Sequence, residues 1–311
     1  MQPAHGLAFS RPLGRSQLTV TAIGLGCVTF GREIEASTAL RILDHAYDRG
    51  IRFFDTAEKY GDGASETIVG EWLHTRRVRR DIVLASKVSV PLSRENIQRS
   101  VEDSLQRLRT DVIDLYQLHT WDTRIPLEET LAALDEEMER GRIREVGCSN
   151  FAAWQLCRAL WVQELRGYRP LASVQPIYNL SQRDAEQELL PCCGQLGIGV
   201  VSYSPLGAGF LTGKYTKHGT VPARTRFDIR PGHQNIYFNE EGFRTVDRLQ
   251  LRATETGISI VQLALSWVFR QHEITTVLVG ARDTSHVDQA FEARTHAFEQ
   301  NRLFPDNPVR P

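Results

Sequence analysis

The feature that most constrains the fold of this chain is a repeated alternation of short apolar runs with amphipathic segments. In residues 93–108, for example, Ile97, Val101 and Leu105 recur every four positions and place one apolar stripe along a helix. Apolar runs of strand length stand between such segments; they include IRFFD, IVLASKV, VIDLYQLH, REVGCSN, GVVSYS and TTVLVG. Strands that alternate with helices in this way indicate parallel βαβ units.

Eight apolar strands alternate with helices, and no break in composition marks a second domain. The sequence therefore predicts an α/β fold, a (β/α)8 TIM barrel, rather than an open sheet. The alternating segment LTVTAIGLG follows a polar start, and we expect an N-terminal β-hairpin before the barrel. We predict a single barrel domain over residues 1–311, with the polar segment 1–11 and the tail 299–311 at its periphery.

The segment 205–241 departs from this alternation. It is rich in Gly, Pro and basic residues and shows no clear period. A connection this long inside a compact domain is usually functional, so we expect a lid over a ligand, and the alternative is a mobile surface loop.

Composition excludes several classes of partner. A formal net charge of -1 gives no general attraction to nucleic acid or to an anionic membrane. The N-terminus lacks the apolar core of a signal peptide, and no apolar run reaches the length of a membrane span. The five cysteines include no CxxC pair, which indicates reduced thiols rather than a disulfide framework or a metal site. We therefore expect a cytoplasmic protein with no nucleic-acid partner, no membrane partner and no metal; a homo-oligomer is compatible with the sequence.

Lys87 is an unusual charge because it lies within the apolar strand DIVLASKVSV. Only four of the 37 Lys and Arg residues are lysines. The side chain either reaches the surface from a strand end or serves a buried function. In a parallel barrel, ligands bind at the carboxyl ends of the strands. The sequence places a series of polar residues there, namely Asp55, Lys87, His119, Ser149, Asn150, Gln175, Tyr203 and Ser204.

Several motifs, in this order, resemble the aldo-keto reductase superfamily, and the resemblance covers essentially the whole chain. They are IGLGCVTFG, FFDTAEKYGDGASETIVG, ASKV, LYQLHTWD, VGCSNF, VQPIYNL, YSPLGAGFLTGKY and VLVGAR, and FDTAEKYGDGASE is the most specific of them. The resemblance implies an NADPH-dependent oxidoreductase that reduces aldehydes or ketones to alcohols by hydride transfer, or that oxidises a sugar or alcohol in the reverse direction. The substrate is then a small carbonyl compound or a sugar.

By this resemblance the catalytic residues are Asp55, Tyr60, Lys87 and His119, which we call the tetrad. Tyr60 is expected to protonate the carbonyl oxygen, and His119 to orient it. A phenol has an ordinary pKa near ~10, and a nearby ammonium favours phenolate, so Lys87 should make Tyr60 a stronger acid. Asp55 should keep Lys87 charged, because an unpaired buried cation loses its proton.

The same resemblance implies NADPH or NADP+ as the cofactor, with NADH as the alternative. Ser149, Asn150 and Gln175 are expected to hold the carboxamide of nicotinamide, and Tyr203 to stack on its ring. The full predicted set of cofactor-binding residues is Gly26, Cys27, Asp55, Ser149, Asn150, Gln175, Tyr203, Ser204, Leu206, Gly207, Lys214, Gly280, Arg282, His286 and Gln289.

Two cations of this set are expected to meet phosphate. Lys214, in the glycine-rich segment GAGFLTGKY, is expected at the pyrophosphate, and Arg282 at the adenosine 2'-phosphate, where a guanidinium can bond two oxygens at once. The following helix departs from the family pattern of Gln or Arg and then Glu-Asn, because it carries His286, Gln289 and Ala290 instead. This departure weakens the expected adenine contact.

Other enzyme classes fit the sequence less well. Gly24-Leu25-Gly26 resembles a Rossmann glycine turn, but no helix begins there and the third glycine is misplaced. No tyrosine is followed four residues later by lysine, as a short-chain dehydrogenase requires. His119 has no HxH partner for a metal-dependent hydrolase. We interpret the other histidines, His233 among them, as surface or packing residues.

A cofactor-sensing binding module that resembles a channel β-subunit is the functional alternative, because such proteins share the tetrad. Against it we expect no N-terminal extension and no exposed apolar segment for a membrane partner. Substrate choice is expected to depend on residues 120–124, on residues 205–241 and on the tail NRLFPDNPVRP. Trp121 either lines an apolar wall there or packs in the ordinary way.

Overall fold

The structure, a computed structural model, describes residues 10–299, and its strands close into a parallel barrel. In chain order the strands are β1 (Ser10–Pro12), β2 (Thr19–Thr21), β3 (Ile23–Gly26), β4 (Phe53–Asp55), β5 (Val83–Val88), β6 (Ile113–Leu118), β7 (Ile143–Ser149), β8 (Ser173–Gln175), β9 (Gly199–Ser202) and β10 (Thr276–Gly280). The barrel runs from β3 to β9 in chain order, and β10 pairs with both β9 and β3. The predicted (β/α)8 barrel is confirmed.

Helices lie between consecutive strands and cover the outside of the barrel. They are α1 (Ala36–Asp48), α2 (Ala64–Arg76), α3 (Arg94–Leu108), α4 (Leu127–Glu139), α5 (Ala153–Arg166), α6 (Leu189–Leu196), α7 (Arg226–Ile229), α8 (Gln234–Tyr237), α9 (Glu240–Thr256), α10 (Ile260–Phe269) and α11 (Thr284–Glu299). Helix α3 shows why they form: the Ser93 side chain caps its first turn by accepting from the Asn96 N–H. Its apolar stripe is buried at Ile97 and Val101. None of the helices between residues 10 and 299 combines the length and apolar composition needed to cross a membrane.

The barrel interior has two layers that follow from the alternation of side chains along a strand. The lower layer is apolar and buried; it contains Phe53, Ala85, Leu115, Val201 and Leu278. Because successive side chains point to opposite faces, the residue two positions further along a strand faces the same interior. That rule places Asp55 above Phe53, Lys87 above Ala85 and Gln117 above Leu115. The strands thus carry a polar layer directly over an apolar one.

The N-terminal hairpin closes the apolar end of the barrel. Strands β1 and β2 pair antiparallel, and Leu13 and Val20 are fully buried against the lower layer. Gly14 permits this contact, because its φ is +59° and a Cβ there would lie 2.5 Å from the Gly199 nitrogen. The predicted hairpin is confirmed. The predicted peripheral segments 1–11 and 299–311 lie almost wholly outside the described residues and stay predictions.

Residues 205–241 form an ordered cover with an aromatic core of its own. The ring centroids of Phe210 and Tyr237 lie 5.7 Å apart, and those of Tyr215 and Phe227 lie 5.0 Å apart. These four side chains are buried in a second apolar cluster that includes Leu263 of α10. Packing rather than regular backbone structure therefore holds the segment, which explains the absence of any period in its sequence.

Candidate active site

Three of the four predicted catalytic side chains lie at the carboxyl ends of adjacent strands. Asp55 ends β4, Lys87 lies next to the end of β5, and His119 directly follows β6. Tyr60 reaches the same place from the turn after β4, where its N–H donates to the Ala57 carbonyl. The turn continues through three left-handed residues, Gly61, Asp62 and Gly63, two of which are glycines that adopt this conformation without strain. The structure brings the whole tetrad together.

The Lys87 ammonium is completely buried and has three oxygen partners. It donates to Asp55 Oδ1 at 2.5 Å, to the Thr56 carbonyl at 2.9 Å and to the Tyr60 hydroxyl at 3.5 Å. Its exposed fraction is 0%, so the alternative in which this side chain reaches the surface is wrong. Asp55 supplies the opposite charge, as a buried ammonium requires.

Two buried glutamines hold the other oxygen of Asp55. Gln117 Nε2 donates to Asp55 Oδ2 at 3.0 Å, and Gln175 Nε2 donates to the same oxygen at 2.9 Å. Gln175 Nε2 also lies 3.2 Å from Gln117 Oε1. Gln117 was not predicted as a site residue, although an amide within the apolar strand VIDLYQLH is a detectable signal. Gln175 thus orients Asp55, and among residues 10–299 its Oε1 has no partner and remains free to accept from a ligand.

Burial and charge act in opposite directions on the pKa values of Lys87 and Tyr60. Burial alone would lower the pKa of Lys87, but the charges and hydrogen bonds of Asp55 and Tyr60 raise it above its usual value, so the ammonium stays protonated. Burial also raises the pKa of Tyr60, and the field of Lys87 lowers it only in part. Lys87 thus acts on the Tyr60 pKa in the predicted direction, but burial is the larger effect, and the net pKa lies above the ordinary value of a phenol. At neutral pH Tyr60 is protonated and holds a proton to donate.

His119 is held as a neutral imidazole. Burial, and then the charges of Lys87 and Lys59, lower its pKa to about 3. Its ring lies edge-on to Tyr60 with centroids 5.8 Å apart, and its Nδ1 lies 3.5 Å from the Ser89 hydroxyl. A neutral ring can act as a hydrogen-bond donor or acceptor towards a polar ligand without adding a charge.

The tetrad borders a cavity of about 600 Å³ that extends from the strand ends to the cover. This is a volume typical of a small-molecule or cofactor site. Fifteen predicted site residues line it: Gly26, Asp55, Tyr60, His119, Ser149, Asn150, Gln175, Tyr203, Ser204, Leu206, Lys214, Gly280, Arg282, His286 and Gln289. Among residues 10–299 no group of three or more His, Cys, Asp or Glu side chains is arranged to hold a metal ion.

Comparison with known proteins decides the family. The sequence model of the Aldo/keto reductase family matches residues 22–303, which is most of the chain. The chain belongs to the aldo/keto reductase family. Family membership supports an oxidoreductase that uses a nicotinamide cofactor and acts on small carbonyl substrates.

Three relatives show the range of proteins that this aldo/keto reductase resembles. An "Uncharacterized oxidoreductase YrpG" of Bacillus subtilis is 36% identical, over 96% of this chain and 95% of the relative. An "Aldo-keto reductase YhdN" of the same organism is 33% identical, over 88% and 85%. A "Probable voltage-gated potassium channel subunit beta" of Oryza sativa subsp. japonica is also 33% identical, over 90% and 89%.

Three predicted site residues of this aldo/keto reductase do not line the cavity. Lys87 is fully buried and is paired with Asp55, as described above. The Cys27 side chain is buried in the hydrophobic core between the barrel and its helices, and only its backbone contributes, by donating to the Asp55 carbonyl at 2.8 Å. Gly207 packs on the ring of Tyr237, to which a Cβ would come within 2.9 Å. Cys27 and Gly207 therefore shape the site without forming its wall.

The rim beside β7 and β9 holds two residues in a strained backbone conformation. Asn150 and Ser204 have φ values of 59° and 55°, which are unusual for residues other than glycine. Asn150 is fixed from two sides: its amide donates to the His119 carbonyl at 2.9 Å, and its Oδ1 accepts from the Tyr203 hydroxyl at 2.7 Å. Such conformations persist where the surrounding contacts demand them, and they cluster at functional sites.

The far end of the cavity concentrates positive charge. Lys214 and Arg282 both line it, and the pKa of Lys214 is lowered by burial and then by the charge of Arg282. A Cβ at Gly209 would lie 3.1 Å from Lys214 Nζ, so glycine keeps space open beside the ammonium. His286 Nδ1 accepts from the Arg282 backbone N–H at 3.2 Å. Two neighbouring cations, with open space beside the Lys214 ammonium, suit a phosphate group.

A short segment, residues 224–226, which we call the strap, links two loops that border the cavity. The Arg282 guanidinium donates to the Arg224 carbonyl at 3.0 Å, and the Arg226 guanidinium lies 2.7 Å from Glu33, in the loop after β3. The Glu33 side chain is 1% exposed and also pairs with Arg32 at 2.6 Å. Arg282 was predicted, whereas Glu33 and Arg226 were missed, because partners almost 200 positions apart leave no local signal.

The aromatic residue Trp121 packs away from the cavity. Its ring lies 5.2 Å from Phe151 and 5.5 Å from Trp154. Trp154, Trp161 and Leu165 are 58%, 62% and 65% exposed and follow one face of α5. These are three separate positions on one helix, and the expected absence of an exposed apolar segment for a membrane partner stays a prediction. His233, expected at the surface or in packing, is exposed at the surface and also lines the cavity.

Proposed function

We propose that this protein reduces aldehydes or ketones to alcohols with NADPH, or runs the reverse oxidation of an alcohol or sugar. The observation that carries the proposal is the buried Lys87 ammonium, placed 3.5 Å from a protonated Tyr60 and paired with Asp55. This arrangement stands on the wall of a cavity whose far end gathers cations. A proton donor and a phosphate-binding end in one cavity are what carbonyl reduction by a nicotinamide cofactor requires.

Each tetrad residue has a separate role in the proposed reaction. Tyr60 donates its proton to the carbonyl oxygen, and the Lys87 charge stabilises the phenolate that forms. Asp55 keeps Lys87 charged and in place. His119, neutral at the pH of the reaction because its pKa lies at about 3, hydrogen-bonds the carbonyl oxygen and orients it. The reduced nicotinamide, when bound, supplies hydride to the carbonyl carbon.

The proposed cofactor contacts divide between the two ends of the cavity. At the tetrad end, Gln175 Oε1, Ser149 and Asn150 are suited to the carboxamide of nicotinamide, and the Tyr203 ring to its face. At the other end, Lys214 and Arg282 are suited to phosphate oxygens. Ala290, one of the departures from the family pattern, is fully buried. Its methyl group offers the adenine no hydrogen-bond acceptor.

Arg282 supports NADPH over NADH, and a direct comparison tests this preference. We expect a higher kcat/KM with NADPH, and an Arg282→Gln variant should lose most of that advantage while its kcat/KM with NADH changes little. Comparable kcat/KM values for the two cofactors in the wild type would overturn the proposed preference.

The reductase function itself is tested by NADPH oxidation over short aldehydes, aromatic aldehydes, keto-steroids and sugars. The screen should be run beside Tyr60→Phe, which removes the proton donor, and beside Tyr168→Phe, which removes a hydroxyl outside the cavity lining. We expect turnover by the wild type and by Tyr168→Phe, and a loss of at least roughly 100-fold in Tyr60→Phe, the range of general acid catalysis. Equal turnover by Tyr60→Phe would refute the mechanism.

A cofactor-sensing binding module is a second candidate, favoured by two observations. Relatives from Oryza sativa and Arabidopsis thaliana carry the name "Probable voltage-gated potassium channel subunit beta", and Trp161 with its neighbours leaves an apolar face exposed on α5. Tight NADPH binding without carbonyl-dependent oxidation across the screen would favour this candidate. A cytoplasmic location and a homo-oligomeric state stay predictions.

A further inference from the structure

The cavity carries an excess of positive charge that the chain as a whole lacks. Among residues 10–299, its lining contains six Lys or Arg residues, Arg32, Lys59, Lys214, Arg226, Arg230 and Arg282, but only two acidic ones, Asp55 and Glu33. The formal net charge of the chain is -1. Both carboxylates are already paired, Asp55 with Lys87 and Glu33 with Arg32 and Arg226. A cleft lined by one sign of charge attracts ligands of the opposite sign.

Three of the four cations that remain, Lys59, Lys214 and Arg282, lie at different ends of the cavity. The charge of Arg282 lowers the pKa of Lys214, and both charges lower the pKa of His286. These three residues therefore lie together, at the end suited to phosphate. The charge of Lys59 instead acts with that of Lys87 to lower the pKa of His119. It also directly precedes Tyr60 in the chain, so its backbone is fixed beside the proton donor. A cofactor phosphate therefore accounts for the first group of cations, whereas Lys59 stands at the reacting end.

Lys59 has no protein partner in the part of the chain that the structure describes. It forms no ion pair and no hydrogen bond between residues 10 and 299, although its side chain lines the cavity. The neighbouring carboxylate of Glu58 accepts from the Ser89 backbone N–H at 2.7 Å and does not line the cavity. By contrast, Lys217, outside the lining, pairs with Glu240 at 2.5 Å. Lys59 is thus an exposed, unpaired ammonium on the cavity lining, and its charge acts on His119 at the reacting end.

We propose that Lys59 selects substrates that carry a carboxylate near the aldehyde or ketone carbon. The inference rests on the proposed reductase function and names the class of substrate for it. A carboxylate that meets Lys59 forms a charge-assisted hydrogen bond while the carbonyl oxygen lies against Tyr60 and His119. A neutral substrate of the same shape leaves the ammonium without this contact. Since the carboxylate is not the reacting group, the contact forms equally in the ground state and the transition state, and its effect belongs mainly in KM.

The test compares matched pairs of aldehydes that differ in one charge. Meta- and para-carboxybenzaldehyde are assayed beside the corresponding formylbenzamides, with saturating NADPH and at low and high salt. The quantity compared is the ratio of kcat/KM for the acid to that for the amide. For one hydrogen bond to a charged group at a partly exposed site we expect a ratio of roughly ten in the wild type. The ratio should fall as salt is added.

Three variants assign the effect to Lys59. Lys59→Met keeps a long apolar side chain without the charge, and its ratio should fall to near one through a higher KM for the acids. Lys59→Arg retains the charge and should keep most of the preference. Lys217→Met removes a cation of the same type outside the cavity lining and should match the wild type.

The outcomes separate this inference from the function on which it rests. Reduction of both members of each pair with a ratio near one in the wild type overturns the role of Lys59 and leaves the reductase function standing. A preference that survives in Lys59→Met overturns it as well. If no aldehyde in the wider screen or in these pairs is reduced, the reductase function fails, and the inference fails with it.

Discussion

Replacement of Lys87 by methionine is the sharpest test of how the tetrad works. The substitution removes the ammonium that lies 3.5 Å from the Tyr60 hydroxyl. It keeps a long unbranched side chain in the strand. Tyr60 then loses the charge that stabilises its phenolate, and Asp55 loses its counter-ion.

The expected loss of activity can be worked from the geometry. Two unit charges 4 Å apart interact by about 4 kcal/mol at an effective dielectric constant of about 20. Asp55 opposes the field of Lys87, so we expect a net loss of about 2 to 4 kcal/mol. Since each ~1.4 kcal/mol is tenfold in rate, kcat should fall roughly 30- to 1000-fold. The free energy of unfolding should fall as well, by about 3 kcal/mol, because one partner of a buried pair is removed.

The two effects are measured separately. Steady-state NADPH oxidation gives kcat, and urea unfolding gives stability. The pH profile gives an independent test, because Lys87 lowers the pKa of Tyr60 against the larger effect of burial. Without Lys87 that pKa rises further, so the decline of reduction at alkaline pH should move to higher pH. A kcat within threefold of the wild type in a folded variant, or an unmoved alkaline limb, would refute the reasoning.

A double variant shows that lost stability is not the cause of lost activity. Asp55→Asn with Lys87→Met removes both charges and leaves an amide oxygen that can accept from Gln117 and Gln175. We expect this variant to recover at least half of the stability lost in Lys87→Met, because no unpaired charge remains buried. Its activity should stay low, since Tyr60 still lacks the ammonium. Recovery of activity together with stability would show that Lys87 has only a structural role.

Three further predictions follow from other contacts. Glu33→Gln breaks the link to Arg226 and should speed NADPH dissociation several-fold in stopped-flow fluorescence; an unchanged off-rate would show that the strap does not retain the cofactor. Gly70→Ala should lower stability by about 1 to 3 kcal/mol in urea unfolding, because its Cβ would lie 2.2 Å from a backbone oxygen at the end of α3; wild-type stability would contradict this. The sulfurs of Cys157 and Cys192 lie 3.4 Å apart, so hydrogen peroxide should oxidise this pair to a disulfide. The reaction should become faster as the pH rises towards the Cys192 pKa of about 11. Peptide mapping that finds only unlinked thiols would refute this prediction.

Much of the fold was predictable because the barrel repeats one local pattern. Apolar strands followed by helices with one apolar stripe need no long-range information, and helix α3 was predicted to within one residue at its start. Strand β8 was predicted as SVQPIYN, but its continuous pairing ends at Gln175, and an isolated bridge then joins Ile177 to Tyr203. Residues 205–241 gave no period because aromatic packing, as between Phe210 and Tyr237, holds them.

The candidate site was predictable to the extent that its residues lie at strand ends. Asp55, Lys87 and His119 carry that signal directly. Gln117 carried a weaker one, an amide in a buried strand, and was missed. The Glu33–Arg226 link carried none, because it depends on how residues 205–241 fold over the barrel.

The net pKa of Tyr60 shows why a charge partner alone does not determine the chemistry. Sequence identifies an ammonium beside a phenol, and that pairing lowers the phenol pKa. The sequence does not give the depth of burial, which acts with the opposite sign and here is the larger effect. The polar layer of the barrel lies directly over the apolar layer of Phe53, Ala85 and Leu115, so little water solvates the tetrad from below. The same desolvation that keeps Tyr60 protonated makes the Lys87 field strong once phenolate forms. The ammonium therefore contributes most in the transition state, where an effect on kcat is expected.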